Sequence, residues 1–222
     1  MNIDIETFPP KEIQYFINGK KDEGLRFKNV KPYDPHTNRI NEIYGEYEKQ
    51  CQREGVADFP ELLLGCYELL KNNIAIKEHY QKRFKHILID EFQDTSELQY
   101  KWLKLLAGKE NFVFAVGDDD QSIYAFRGAR VGNMQDLEKD FKIKNIIKLE
   151  QNYRSKNNIL NAANAIIENN TKRLGKNLWA ESGDGDPIHQ YIGLSDYDEA
   201  NFILDEIKML HRAGTNYSDM AL

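Results

Sequence analysis

The stretch Phe84–Asp94, FKHILIDEFQD, constrains the fold of this chain more than any other. Its short apolar run, Ile87, Leu88 and Ile89, ends abruptly in two adjacent carboxylates, Asp90 and Glu91. Such a run has the length and β-branched content of a strand buried on both faces, the condition of a central strand in a parallel sheet. The carboxylates then fall at its C-terminal end, the edge at which open α/β sheets bind ligands. At that edge one carboxylate suits a metal ion and its neighbour a water molecule. On this stretch alone, an acidic strand end facing solvent is an equally open reading.

Two further apolar runs repeat the pattern. Phe112–Val116 ends in Gly117-Asp118-Asp119-Asp120-Gln121-Ser122, and Ile146–Leu149 ends in Glu150-Gln151-Asn152-Tyr153-Arg154. The three runs lie about thirty residues apart, the size of a βαβ unit, which predicts a parallel sheet with one functional edge. Between them a helix is expected to start at Asp94 or Thr95, carry Leu98, Trp102, Leu105 and Leu106 on one face, and end at Gly108.

The first eighty or so residues read as wholly helical. Pro9 and Pro10 open a helix that Gly19 stops, and the polar, proline-bearing residues 24–38 read as a loop. A second helix runs from Arg39 to Gly55 with Ile40, Ile43, Tyr44, Tyr47 and Cys51 on one face. Asp58 caps a third, with Leu62, Leu63, Leu69 and Leu70 apolar. Beyond the third strand, Ser155 begins a helix with Ile159, Leu160, Ala163, Ile166 and Ile167 inward. Residues 176–186 read as a linker, and Ile188–Ile192 alternates like a strand. Asp196 with Glu199 opens a last helix that Gly214 closes.

The net charge of −6 argues against nucleic-acid binding by bulk electrostatics, because neutralising phosphates needs clustered Lys and Arg. A local groove is compatible with it: Lys20, Lys21, Arg26, Lys28 and Lys31 lie close together, as do Lys82, Arg83 and Lys85. The alternative for both runs is a solvated face. Cys51 and Cys66 match no metal or redox spacing, which fits a reducing compartment, the cytoplasm. No apolar run approaches the roughly 20 residues that span a bilayer.

Nucleotide hydrolysis needs phosphates held, a Mg²⁺ bridging them, a placed water, and positive charge against the transferring phosphoryl group. Asp90 suits the Mg²⁺ contact and Glu91 the water. Gln121 offers an amide to the terminal phosphate, Arg154 a guanidinium to spreading charge, and Tyr153 a ring to a base. Taken singly, they read sooner as a solvated loop glutamine, a surface arginine paired with Glu150 and a core tyrosine than as functional residues. A phosphate-cradling G-x-x-x-x-G-K-[ST] is not present in the sequence.

Together, DEFQD at Asp90–Asp94, VGDDDQSIYAFRGA at Val116–Ala129 and LEQNYRS at Leu149–Ser155 resemble motifs II, III and IV of superfamily 1A DNA helicases of the UvrD/PcrA/Rep group. ILNAANAIIENN at Ile159–Asn170, KNLWAESGDGDPI at Lys176–Ile188 and DEANFI at Asp198–Ile203 resemble the bacterial UvrD branch more than Rep. The resemblance implies an incomplete RecA-like α/β core with an N-terminal helical subdomain: residues 1–83 as part of 1B, 84–175 as the C-terminal part of 1A, and 176–222 as the linker and opening of 2A. It implies Asp90 as Mg²⁺ ligand, Glu91 as catalytic base, Gln121 as γ-phosphate sensor, Tyr153 as the adenine-stacking residue and Arg154 as an arginine finger. Tyr124, Phe126 and Arg127 would line the path of single-stranded DNA. Phe126 stands where such helicases usually carry Trp, so its stack should be weaker.

The function implied is that of an ATP-dependent 3′-to-5′ DNA helicase of repair, acting at single-strand/duplex junctions alongside mismatch- and excision-repair proteins. The chain is expected to be a piece of such a protein, inactive by itself. The competing expectations are a non-catalytic DNA- or protein-binding remnant and the helicase subunit of a helicase-nuclease, which the UvrD-like text around Trp179 disfavours.

Overall fold

The helices of the N-terminal half begin where local capping chemistry dictates. A computed structural model describes residues 3–124, 128–130, 132–143, 145–170 and 173–222, and divides the chain into two units, residues 1–147 and 148–222. In the first unit α1 is Pro10–Asp22, α2 Pro35–Glu54, α3 Phe59–Asn72 and α4 Ile74–Arg83. Asp34 caps α2 by accepting from the Thr37 N–H at 2.7 Å, with Pro35 at its first position. The helix therefore starts four residues before the expected Arg39, inside the stretch read as a loop. Pro35 signals this start, since its missing N–H costs nothing there. Gly55, at φ +66°, ends α2 as expected. Gly19 does not stop α1, which runs on to Asp22.

Asp58 caps α3 through the Glu61 N–H at 2.7 Å. Leu64 and Leu70 are its buried leucines, whereas Leu62 and Leu69 face out. The basic run of α1 and the segment after it is no open groove. Lys21 is buried against Asp58 and Glu61, and the Arg26 guanidinium pairs with Glu48, Glu61 and Glu68.

Two strands follow, β1 at His86–Ile89 and β2 at Phe112–Ala115, paired in parallel with His86 opposite Phe112 and Ile89 opposite Ala115. The crossover between them is α5, Glu97–Leu106. Its cap is Ser96 rather than Asp94 or Thr95, in a reciprocal box with Gln99. Removing one member of such a cap costs about 1 kcal/mol. Ser96→Ala should therefore lower the denaturant midpoint by that equivalent without changing the slope, and an unchanged midpoint would show the box to be dispensable.

Ile87, Phe92, Tyr100, Leu103, Leu106 and Ala107 form one core with Leu70 of α3 and Leu137 of α6, Gly132–Asp140. Asn133, fully buried at the start of α6, donates to the Thr95 carbonyl at 2.9 Å and ties that helix to the turn after β1. The expectation of strands buried on both faces is corrected. Leu88, Phe112 and Phe114 are 75%, 69% and 60% exposed, because among the described residues helices cover only the face that Ile87 and Val113 share.

The third predicted strand is also corrected. Among the described residues the sheet has two strands, and Ile146, Ile147 and Leu149 are exposed. In the second unit Gln151 makes a bridge to Trp179, with the Asn152 N–H donating to the Trp179 carbonyl at 2.8 Å. Residues 188–192 form no strand either; Tyr191 stacks on Phe202 at 3.9 Å instead. The helices of this unit are α7, Asn157–Ile167, and α8, Asp196–Arg212, the latter capped by Ser195. Of the five residues expected inward on α7, only Leu160 is fully buried.

Candidate active site

Parallel pairing sends the two chains out of the sheet in the same direction, so the residues after β1 and after β2 leave from one edge. The ladder continues one step beyond the strands: the Val116 N–H donates to the Ile89 carbonyl at 2.8 Å and the Phe92 N–H to the Val116 carbonyl at 2.9 Å. Phe92 is fully buried and meets the Tyr100 ring edge-on at a centroid distance of 6.1 Å. That anchor holds a sharp turn in which Glu91 sits in the left-handed region, φ 49° and ψ 43°. For a residue with a side chain this costs on the order of 1–3 kcal/mol, sustained only by the packing around it.

Asp90 and Glu91 are both exposed at this edge. One Asp90 oxygen accepts from the Glu91 N–H at 3.0 Å, and the other has no hydrogen bond among the described residues. Glu91 Oε2 accepts from Gln93 Nε2 at 2.7 Å. Gln93, only 2% exposed, reaches with its carbonyl oxygen to the Asp118 N–H at 2.9 Å. Asp118 Oδ2 in turn accepts from Gln121 Nε2 at 2.7 Å, and Asp118 Oδ1 from the Asp120 N–H at 3.1 Å. Two sequence stretches 25 residues apart are thus joined through side chains as well as through the sheet.

The approach of the second loop depends on Gly117. A Cβ there would stand 2.9 Å from Gln93 Oε1 and 3.3 Å from Phe92 Cβ, so a side chain would force the loops apart. The carboxylates of Asp118, Asp119 and Asp120 offer oxygens within 4.8 Å of one another, on the loop that follows β2. An anionic substrate is acceptable here only with compensating cations, and hard oxygen donors such as Asp90 suit Mg²⁺.

Of the residues singled out from sequence, Asp90, Glu91 and Gln121 come together here. Tyr124, further along the same loop, is half-buried; Phe126 and Arg127 lie outside the described residues. Tyr153 and Arg154 belong to the second unit. The Tyr153 hydroxyl donates to Gln151 at 2.9 Å with its ring 86% exposed, so it is not a core tyrosine. Asn152 Oδ1 accepts from the N–H groups of Arg154 and Ser155 at 2.9 and 2.8 Å, which shapes the backbone beneath the arginine. Glu150 accepts from the Asn177 N–H, and Arg154 makes no ion pair among the described residues. Sequence reasoning missed Gln93 and Gly117. Their signal was a polar, amide-bearing residue inside an otherwise core-forming turn and a glycine ending an apolar strand.

The chain matches the family model described as the UvrD/REP helicase N-terminal domain over residues 1–142, and that of the UvrD-like helicase C-terminal domain over residues 147–222. Over its whole length it is 49% identical to DNA helicase II of Haemophilus influenzae and 47% identical to DNA helicase II of Escherichia coli. It is 40% identical to the ATP-dependent DNA helicase PcrA of Staphylococcus aureus. It spans about 30% of the length of each of these relatives.

Proposed function

Because the chain belongs to the UvrD/REP helicase family, we propose that it is the segment of an ATP-dependent DNA helicase that carries the water-activating base and the phosphate sensor. The observation that carries this reading is the hydrogen-bonded continuity from Glu91 through Gln93 and Asp118 to Gln121 at one strand edge. Glu91 takes a proton from the attacking water as its oxygen bonds the γ-phosphorus and the bond to the bridging oxygen breaks, releasing ADP and phosphate. Gln121 has a second amide N–H besides the one given to Asp118, and that hydrogen is available to a terminal phosphate oxygen. Asp90, with one oxygen unengaged, would hold the Mg²⁺. When bound, that ion neutralises phosphate charge at an edge otherwise hostile to it.

Tyr153, exposed and planar, stacks on the adenine, and Arg154 stabilises charge spreading on the transferred group. Tyr124, Phe126 and Arg127 contact single-stranded DNA, where an aromatic stack contributes about 1–3 kcal/mol per base irrespective of sequence. Residues 1–83 then act as a helical insertion, 84–175 as part of one motor subdomain and 176–222 as the entry to the second. The protein works in the cytoplasm with mismatch- and excision-repair factors, moving 3′ to 5′ on single strands and opening junctions. Among the described residues no helix is long and apolar enough to cross a membrane.

Duplexes bearing a single-stranded tail at either the 3′ or the 5′ end test this in the full-length protein. Strand separation should require ATP and a 3′ tail. Equal use of a 5′ tail would overturn the direction, and no ATP-dependent separation of either would overturn the helicase reading.

A further inference from the structure

Resting on the reading of Glu91 as base and Gln121 as sensor, we infer that Gln93 is a positioning residue that couples the two. Its buried amide joins the turn that bears the base to the loop that feels the phosphate. Three hydrogen bonds of 2.7, 2.9 and 2.7 Å join the Glu91 carboxylate to the Gln93 amide, the Gln93 oxygen to the Asp118 backbone N–H, and the Asp118 carboxylate to the Gln121 amide. Their directions are dictated by chemistry. A backbone N–H at Asp118 only donates and an ionised carboxylate at Glu91 only accepts, so the Gln93 oxygen must face Asp118 and its nitrogen Glu91.

Glutamine serves both ends, its nitrogen donating to Glu91 and its oxygen accepting from Asp118. Glutamate would turn an acceptor toward the Glu91 carboxylate, lysine or arginine would leave the Asp118 N–H without an acceptor, and methionine would pair with neither. Asparagine, one methylene shorter, could not span the gap without backbone movement. The close seat of Gly117 against Gln93 Oε1 leaves the link no slack. When Gln121 turns toward a terminal phosphate it moves Asp118, whose N–H is held by the same amide that aims the base. Glu91, poised in a strained left-handed turn and exposed to solvent, has no other side-chain hydrogen bond among the described residues to set its direction. The base is thereby aimed according to whether the sensor loop is seated.

The test is steady-state, DNA-stimulated ATP hydrolysis by the full-length protein. Gln93→Met keeps the side-chain volume and removes both bonds; it should lower kcat by about 10–100-fold, the scale of a reacting group misplaced by an ångström, with KM for ATP held within about twofold. Gln93→Glu keeps an acceptor for the Asp118 N–H but removes the donor to Glu91, so it should lower kcat on the same scale with KM for ATP again held within about twofold. Adding Gln121→Ala to Gln93→Met should cost far less than Gln121→Ala costs in the wild type, because the link it acts through is already cut.

Wild-type kcat in Gln93→Met, or fully additive losses that track thermal stability, would overturn the coupling. Should Gln93→Met not fold, the kcat-against-KM split of Gln93→Glu carries the test, and wild-type kcat in that variant overturns it. Glu91→Gln separates the two failures. If it turns over ATP normally, the base assignment is wrong; if it is inactive while Gln93→Met is normal, only the link is wrong.

Discussion

Full-length protein carrying Glu91→Gln is expected to lose ATP turnover by about 10²–10⁴-fold, the range a positioned general base contributes, while still binding ATP. The substitution keeps length and shape at an exposed side chain and removes only the capacity to take a proton. It also leaves Gln93 satisfied, since the new amide can present its oxygen where the carboxylate presented Oε2. Glutamine at φ 49° should be no more strained than glutamate, so the turn and the Phe92 anchor should persist. Turnover measured beside a nucleotide-binding titration checks both halves. Unchanged turnover would refute the base, and loss of ATP binding would show that Glu91 does more than position water.

The second large effect concerns stability. Lys21→Met should destabilise the first unit by about 3–5 kcal/mol, the cost of removing one partner from a buried ion pair. Lys21 is 2% exposed; its ammonium lies 2.8 Å from Asp58 and 2.9 Å from Glu61, and Tyr47 donates to the same Asp58 at 2.8 Å. Methionine fills the space but leaves half-buried Asp58 without its cation and Glu61 with Arg26 alone. Denaturant unfolding of Lys21→Met, Asp58→Asn and the double variant reads this directly. The double variant should cost less than the sum, and strict additivity would show the pair to be uncoupled.

The same cluster predicts a pH dependence. Burial alone would raise Asp58 and Glu61, but hydrogen bonds from Lys21 and Tyr47 to Asp58, and from Arg26 and Lys21 to Glu61, reverse this and lower both below their ordinary 3.8 and 4.5. Carboxylates whose folded values are depressed add stability that is complete above the unfolded values and lost as pH falls through the folded ones. Stability should therefore be flat above about pH 5 and fall below about pH 4. A flat curve down to about pH 2 would show that these charges contribute nothing net.

The Asp58 helix cap, the Gly55 stop and the strands at Ile87 and Phe112 follow from residues a few positions apart, whereas the last helix is capped by Ser195, one residue before the expected Asp196. What misled the reading was burial. Ile146–Leu149 has the composition of a strand, yet a strand exists only beside a partner, and among the described residues it has none. Leu62 and Leu69 obey helical periodicity on α3 but face out, since which leucines are inward depends on where α1 and α5 pack.

The sequence by itself determined the Asp58 cap, the Gly55 stop and the pair of carboxylates at the end of β1. Capping, proline geometry and the apolar run before Asp90 and Glu91 act over one turn of chain and need no distant partner. Only the tertiary structure decided that Gln93 faces Asp118 and that Lys21 leaves the basic run for a buried cage of carboxylates. A hydrogen bond across 25 residues and an ion pair across 37 exist only after packing has brought the elements together, and a glutamine or a lysine looks the same in sequence whether water or protein answers its polar atoms.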